Sequence, residues 1–176
     1  EEASSINAQK AAQIYRLSSA LTTRGERTRG STGEPGAESE NALRKARRLA
    51  PLNTDHSANL ARLYRTWGGL SQGETRTALL NRALDYYADA TSLSPNNAQL
   101  YNEWGQTYYV LGDHDRALEM YQESLSLDQK YYQTYMLLGE FYMQEDEWDK
   151  AVDAYLQASE VRPKAVDAYR DRKSTR

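Results

Sequence analysis

AQLYNEWGQTYYVLGDHDRALEMYQESLSLDQKY, residues 98–131, is followed without a gap by YQTYMLLGEFYMQEDEWDKAVDAYLQASEVRPKA, residues 132–165. At an offset of 34, Tyr101 falls on Tyr135, Trp104 on Leu138, Gly105 on Gly139 and Tyr108 on Tyr142. Further along, Ala117 falls on Ala151, Tyr121 on Tyr155, Ser124 on Ala158 and Leu127 on Val161. A fixed period of this length marks a repeat architecture, in which each unit buries its apolar face on its neighbours. Each copy reads as two helices, parted in the first by Gly112-Asp113. Gly105 and Gly139 fall inside helices, where glycine costs about 1 kcal/mol relative to alanine. Close approach of the paired helix offsets that cost, with Ala117 and Ala151 as the facing small residues. Tyr108, Tyr121, Tyr142 and Tyr155 fill the space around the contact. The second copy carries Glu145-Asp146 at its turn, without the permissive glycine. Pro163 ends that copy, and Gln129 stands where the proline would be one repeat earlier.

Working towards the N-terminus, Pro95 closes an earlier repeat. Its second helix is expected over Thr77–Leu93, with Ala83, Tyr87 and Ala90 inward, and its first over about Thr54–Trp67, with Leu60, Ala61 and Tyr64. Thr54 to Asn97 spans 44 residues, ten more than the regular copy. The surplus lies between Gly68-Gly69 and Arg76 and reads as an extended inter-helix loop with room for extra turns. Before Pro51, a helix over Ala37–Leu49 is expected to pair with one near Ser5–Leu21 through Ala11, Ala12 and Tyr15. Residues 24–36 between them combine four Gly with Pro35, Ser31 and alternating charge and are expected to bury no apolar surface. The expected organisation is therefore residues 1–53 as an interrupted repeat, 54–97 as an expanded one, 98–131 and 132–165 as regular copies, and 166–176 as a capping helix with a polar tail.

Composition fits a helical array. Of 176 residues, 27% are charged and 39% hydrophobic, a polar balance suited to a high ratio of surface to core. Fourteen Tyr and three Trp against one Phe favour half-buried sites where an apolar ring carries a polar tip. The absence of Cys removes disulfides, thiol catalysis and cysteine-based zinc sites. No run approaches the ~18 apolar residues of a membrane span, and no signal-peptide pattern is present. With Glu1 rather than Met at its start, the chain is expected to be a fragment or a processed form. Residues 1–97 carry 13 Lys/Arg against 10 Asp/Glu, and residues 98–176 carry 9 against 15, so net +3 precedes net −6.

Little points to catalysis or to a metal. His56 and His114 are 58 residues apart, and neither has a ligand partner at helical spacing. His114 is expected as a half-packed ring where the next copy has Trp148, and His56 in a local polar contact in a helix first turn. Asp113/Asp115 and Glu145/Asp146/Glu147 fall at inter-helix turns and read as solvated acids near helix starts. Gly68-Gly69 lacks the lysine and the strand of a phosphate loop. Neither a catalytic residue, a cofactor site nor a metal site is therefore assigned. Arg44-Lys45 and Arg47-Arg48 place basic residues on one helix face, joined by Arg24, Arg27 and Arg29. No aromatic side chains are interleaved and the isoelectric point is 5.5, so a solvated face is expected and not a nucleic-acid or anionic-surface site.

The repeat residues quoted above resemble those of the tetratricopeptide family. That resemblance implies an all-α fold, a right-handed α-solenoid of antiparallel helix pairs, whose first helices line a concave groove. Carried over position by position, it places Asp55, Ala58, Arg62, Arg65 and Thr66 in that groove, then Gln99, Asn102, Gln106, Tyr109 and Val110, then Gln133, Met136, Glu140, Met143 and Gln144. It thereby implies a non-catalytic scaffold holding a peptide or partner protein through amides, arginines and adaptable methionines. Chaperone-binding members grip a C-terminal carboxylate with Lys and Asn. The matching positions here are Ala58, Arg62, Glu103, Gln133 and Leu137, so that clamp is not expected. Ala50–Trp67 and Ser92–Asn97 are in turn similar to repeat-bearing C-terminal regions of bacterial O-antigen ligase-like membrane proteins. That second resemblance implies the soluble, extracytoplasmic part of a membrane-bound glycan ligase, with the membrane-embedded portion of the same chain as its neighbour and the ligase chemistry elsewhere. Self-association through exposed repeat ends is a further expectation. Ligand identity, compartment and oligomeric state are not set by these residues.

Overall fold

The computed structural model describes residues 37–162, and among them the chain forms seven α-helices and no strand. They are α1 (Ala37–Leu49), α2 (Thr54–Leu70), α3 (Gly73–Leu93), α4 (Ala98–Leu111), α5 (His114–Leu127), α6 (Tyr132–Gln144) and α7 (Trp148–Val161). The helix expected near Ser5–Leu21, the loop at 24–36 and the segment 166–176 lie outside the described residues. The described chain falls into two compact units divided between Pro95 and Asn96.

In the first unit α2 and α3 form the main pair, with α1 packed on α2. The ten surplus residues are not a loop. α2 and α3 have 17 and 21 residues, whereas α4 and α5 have 14 each, so helix takes up the whole insertion. Only Ser71 and Gln72 connect α2 to α3. The extension is built on a close approach: a Cβ on Gly68 would stand 2.7 Å from Leu80 Cγ. Glycine is thus required at the crossing, where packing overrides the weak helix propensity of Gly68, while Gly69 meets no neighbour and Gly73 opens α3 at φ 58°, a left-handed conformation open to glycine. The core holds Leu60, Ala61, Tyr64, Leu80, Ala83, Tyr87 and Ala90, all buried. Polar contacts join its helices. Tyr64 Oη donates to Glu40 Oε1 at 2.5 Å, Arg44 Nε reaches the same oxygen at 2.6 Å, and Arg47 pairs with Asp89 at 2.7 Å. Burial opposes the charge on Glu40, but the hydrogen bonds from Tyr64 and Arg44 outweigh it, and the carboxyl is held below its ordinary range.

The second unit contains the pairs α4/α5 and α6/α7, with α5 also packed on α6. Ala117, Tyr121, Leu138, Phe141 and Ala154 form its core, flanked by Tyr108, Tyr109, Leu118 and Tyr142. The glycines act as their positions require. A Cβ on Gly105 would lie 2.7 Å from Tyr121 Cε1, and one on Gly139 would lie 2.6 Å from Tyr155 Cε1. The nearest obstacle is therefore the tyrosine ring, with the Ala117 carbonyl at 3.0 Å behind it in the first copy.

Candidate functional site

The residues expected to line a groove lie on the first helix of each pair. Along α4, Gln99, Asn102, Gln106 and Tyr109 recur at intervals of three and four, and so do Gln133, Met136, Glu140 and Met143 along α6. Each set shares one helix face. The two helices touch: Asn102 Nδ2 donates to Thr134 Oγ1 at 2.9 Å, and the Tyr109 and Phe141 rings meet edge to face at 5.8 Å. Residues 32 apart on the two helices therefore meet within the second unit. Gln99 is exposed and donates to Glu103 Oε1 at 2.8 Å. Gln106, Gln133, Met136 and Glu140 are half-buried, and Met143 is 40% exposed with Tyr155 Oη donating to its sulfur at 3.4 Å. Tyr109 is half-buried and stacked on the His114 ring at 4.9 Å. Burial, then the neighbouring Glu145 charge, raises its hydroxyl above the ordinary tyrosine range.

Asn102 is corrected from groove to core. It is 4% exposed and its amide is committed to Thr134. Thr134 Oγ1 also lies 2.9 Å from Ser124 Oγ, so three buried polar side chains join α4, α5 and α6. Thr134 Oγ1 is engaged from both sides, while Asn102 Oδ1 is buried without a hydrogen-bond partner. Arg62 and Arg65 lie on α2 in the first unit, both half-buried, and Arg62 Nη1 donates to Asn59 Oδ1 at 3.1 Å.

The histidines form no joint site. His56 is 2% exposed beside Ser57 and Ala58, and burial lowers its pKa below the ordinary value, opposed by Asp55. His114 places Nδ1 2.7 Å from Glu145 Oε1 and stacks on Tyr109, tying the start of α5 to the end of α6. Among the described residues no three His, Asp or Glu side chains gather as metal ligands, and no helix is long and apolar enough to cross a membrane. Of the basic cluster on α1, Arg44 and Arg47 are engaged with Glu40, Tyr64 and Asp89. A hollow of about 550 Å³ lies between the start of α6 and the end of α7, where Arg162 stacks over Tyr132 at 5.0 Å.

Two family models described as tetratricopeptide repeat match the sequence, one over residues 71–132 and the other over residues 111–171. The chain carries tetratricopeptide repeats. A thermophilic TPR protein of Thermus thermophilus, TTC0263, is similar in structure, with 20% identity, 97% of each chain covered and a TM-score of 0.71. A MamA protein is 21% identical over 88% of this chain and 74% of its own, with a TM-score of 0.65. A double mutant of MamA from RS-1 is 16% identical over 88% and 76%, also with a TM-score of 0.65. At these identities the likeness is one of fold, all-α and of the tetratricopeptide solenoid class. No protein of curated function is significantly similar in sequence. Repeats of this type are in general protein-interaction scaffolds and not catalysts.

Proposed function

We propose that the chain is a non-catalytic scaffold whose first-helix faces bind an extended peptide or a helix of a partner protein. The observation that carries this reading is the paired surface of α4 and α6. Gln99 and Gln133, Gln106 and Glu140, and Tyr109 and Met143 stand at matching positions on two touching helices. Amides can meet the backbone groups of an extended ligand, and methionines adapt to the shape of its side chains. In the first unit, Arg62 and Arg65 supply the cations of the equivalent face on α2.

The full chain displayed against a random peptide array tests this. Met136→Glu combined with Gln133→Ala is expected to weaken captured peptides at least about tenfold, a loss of roughly 1.4 kcal/mol. Unchanged binding of every captured peptide would remove the groove from consideration.

A second reading, an accessory domain of a membrane-bound glycan ligase, rests on the stretch Ala50–Trp67. That stretch supplies Leu60, Ala61 and Tyr64 to the first unit's core, so its pattern has a packing role as well. The sequence of the flanking gene decides it: flanks without hydrophobic segments of about 20 residues exclude this reading.

A further inference from the structure

α7 presents Trp148, Val152 and Leu156 at intervals of four, on one stripe, exposed at 59%, 57% and 55%. Large apolar groups that share one exposed helix face mark an interaction surface, whereas single ones are ordinary. One repeat earlier the same positions are His114, Leu118 and Gln122. There His114 meets Phe141 of α6 edge to face at 6.1 Å, and Leu118 packs against the cluster that contains Phe141. The stripe on α5 is thus a seat for a helix. On α7 no helix among the described residues takes that seat. Leu156 widens it further, because the preceding repeat exposes Gln122 at that position.

Charge narrows the occupant. Asp149, Asp153 and Glu160 run beside the stripe on α7, and Glu145, Asp146 and Glu147 crowd the turn that precedes it. Residues 98–162 hold 13 Asp/Glu against 4 Lys/Arg, so a second copy meeting this face with its own sets acid against acid. Residues 166–176 do not repeat the apolar groups that α6 sets on the α5 stripe. At the repeat offset, Arg172, Lys173 and Thr175 fall where α6 has Leu138, Gly139 and Phe141.

We propose that the α7 stripe is a docking surface for an amphipathic helix of another protein, apolar on one face and flanked by Lys or Arg. The apolar face covers Val152 and Leu156, a cation lies over the Trp148 ring, and the flanks meet Asp149 and Asp153. This surface is separate from the α4/α6 face.

The test titrates the full chain with a synthetic helix of about 18 residues, Leu and Phe on one face and Lys on the flanks. A mirror peptide with Glu in place of Lys is run beside it. The expected result is binding of the Lys peptide only, with NMR shifts centred on the Trp148 indole and on α7. Val152→Glu, at an exposed position, is expected to weaken it at least about tenfold, and Asp149→Lys with Asp153→Lys by a similar factor. Four results overturn the proposal. The first is no binding at millimolar peptide, and the second is equal binding of the Glu peptide. The third is shifts centred on Gln133, Met136 and Glu140 that Val152→Glu leaves intact. The fourth is another occupant: either a tenfold gain in affinity from Val166→Glu with Tyr169→Glu, which assigns the seat to the chain's own end, or a concentration-dependent dimer abolished by Val152→Glu, which assigns it to a second copy.

Discussion

The repeats α4/α5 and α6/α7 share a backbone plan but not its supports. In the first, Gly112 takes the left-handed conformation at φ 91°, and Asp113 N donates to Tyr108 O at 3.0 Å across the helix end. In the second, the equivalent bond runs from Glu147 N to Tyr142 O at 2.9 Å, and the left-handed residue is Asp146 at φ 59°. Asn97 and Asp113 cap α4 and α5 through their side chains, while Tyr131 and Glu147 make no such bond to α6 and α7. Tyr121 is 2% exposed, between Gly105 and Phe141, while Tyr155 is only half-buried against Gly139. The repeat pattern therefore dictates the path of the chain, and the neighbours and caps dictate how firmly each copy is held.

The two tyrosines give the largest expected difference. Tyr121→Ala removes a ring packed on both sides and is expected to cost about 3–5 kcal/mol. Tyr155→Ala, which removes a ring already partly open to solvent, is expected to cost about half as much. Native-state hydrogen exchange of the amides in α4 to α7 reads both in the full chain without assuming one cooperative transition. Equal losses would mean that burial against the next repeat adds nothing. Thr134→Val comes next. It strands the Asn102 amide and deprives Ser124 of its partner, at an expected cost of about 1–3 kcal/mol. A loss below about 0.5 kcal/mol would show that the polar cluster does not couple α4, α5 and α6.

The turns provide a reciprocal exchange. Left-handed backbone strains a residue with a Cβ, although aspartate tolerates it better than most. Asp146→Gly is expected to stabilise the second repeat by about 0.5–1 kcal/mol, and Gly112→Asp to destabilise the first by about 1 kcal/mol or more. A stabilising Gly112→Asp would break the equivalence of the two turns.

Much of this organisation can be read from the residues themselves. The helix over Ala37–Leu49, the glycine–tyrosine contacts and the turn at Gly112 follow from spacing and from the special demands of glycine. The extension of α2 and α3 was hidden because Gly68, Gly69 and Gly73 look like loop residues, and only the approach of Leu80 explains why helix takes in Gly68. Asn102 misleads for another reason. Its position belongs to the face that lines the family's groove, yet Thr134 on the next helix draws the amide inward, a pairing 32 residues distant that no local pattern announces. The α7 stripe is visible in sequence once Leu156 is compared with Gln122, but its meaning depends on knowing that Phe141 covers the matching stripe on α5.

The caps carry the smallest and most discriminating difference. Asp113 Oδ1 accepts from Arg116 N at 3.2 Å, satisfying one of the four free donors at the start of α5. Removing it by Asp113→Ala is expected to cost about 1 kcal/mol. Glu147 holds the same place before α7, but its longer side chain reaches Lys150 Nζ at 3.1 Å, in an ion pair about half exposed at both ends. Such a pair contributes at most a few tenths of a kcal/mol, so Glu147→Ala is expected to be nearly neutral. Glu147→Asp shortens the side chain to the reach of a true cap and is expected to stabilise α7 by about 0.5 kcal/mol, read as slower exchange of its first-turn amides. A loss from Glu147→Ala as large as that from Asp113→Ala would show that the ion pair substitutes fully for the missing cap, and that the second repeat differs from the first in the exposure of Trp148, Val152 and Leu156 and not in its helix starts.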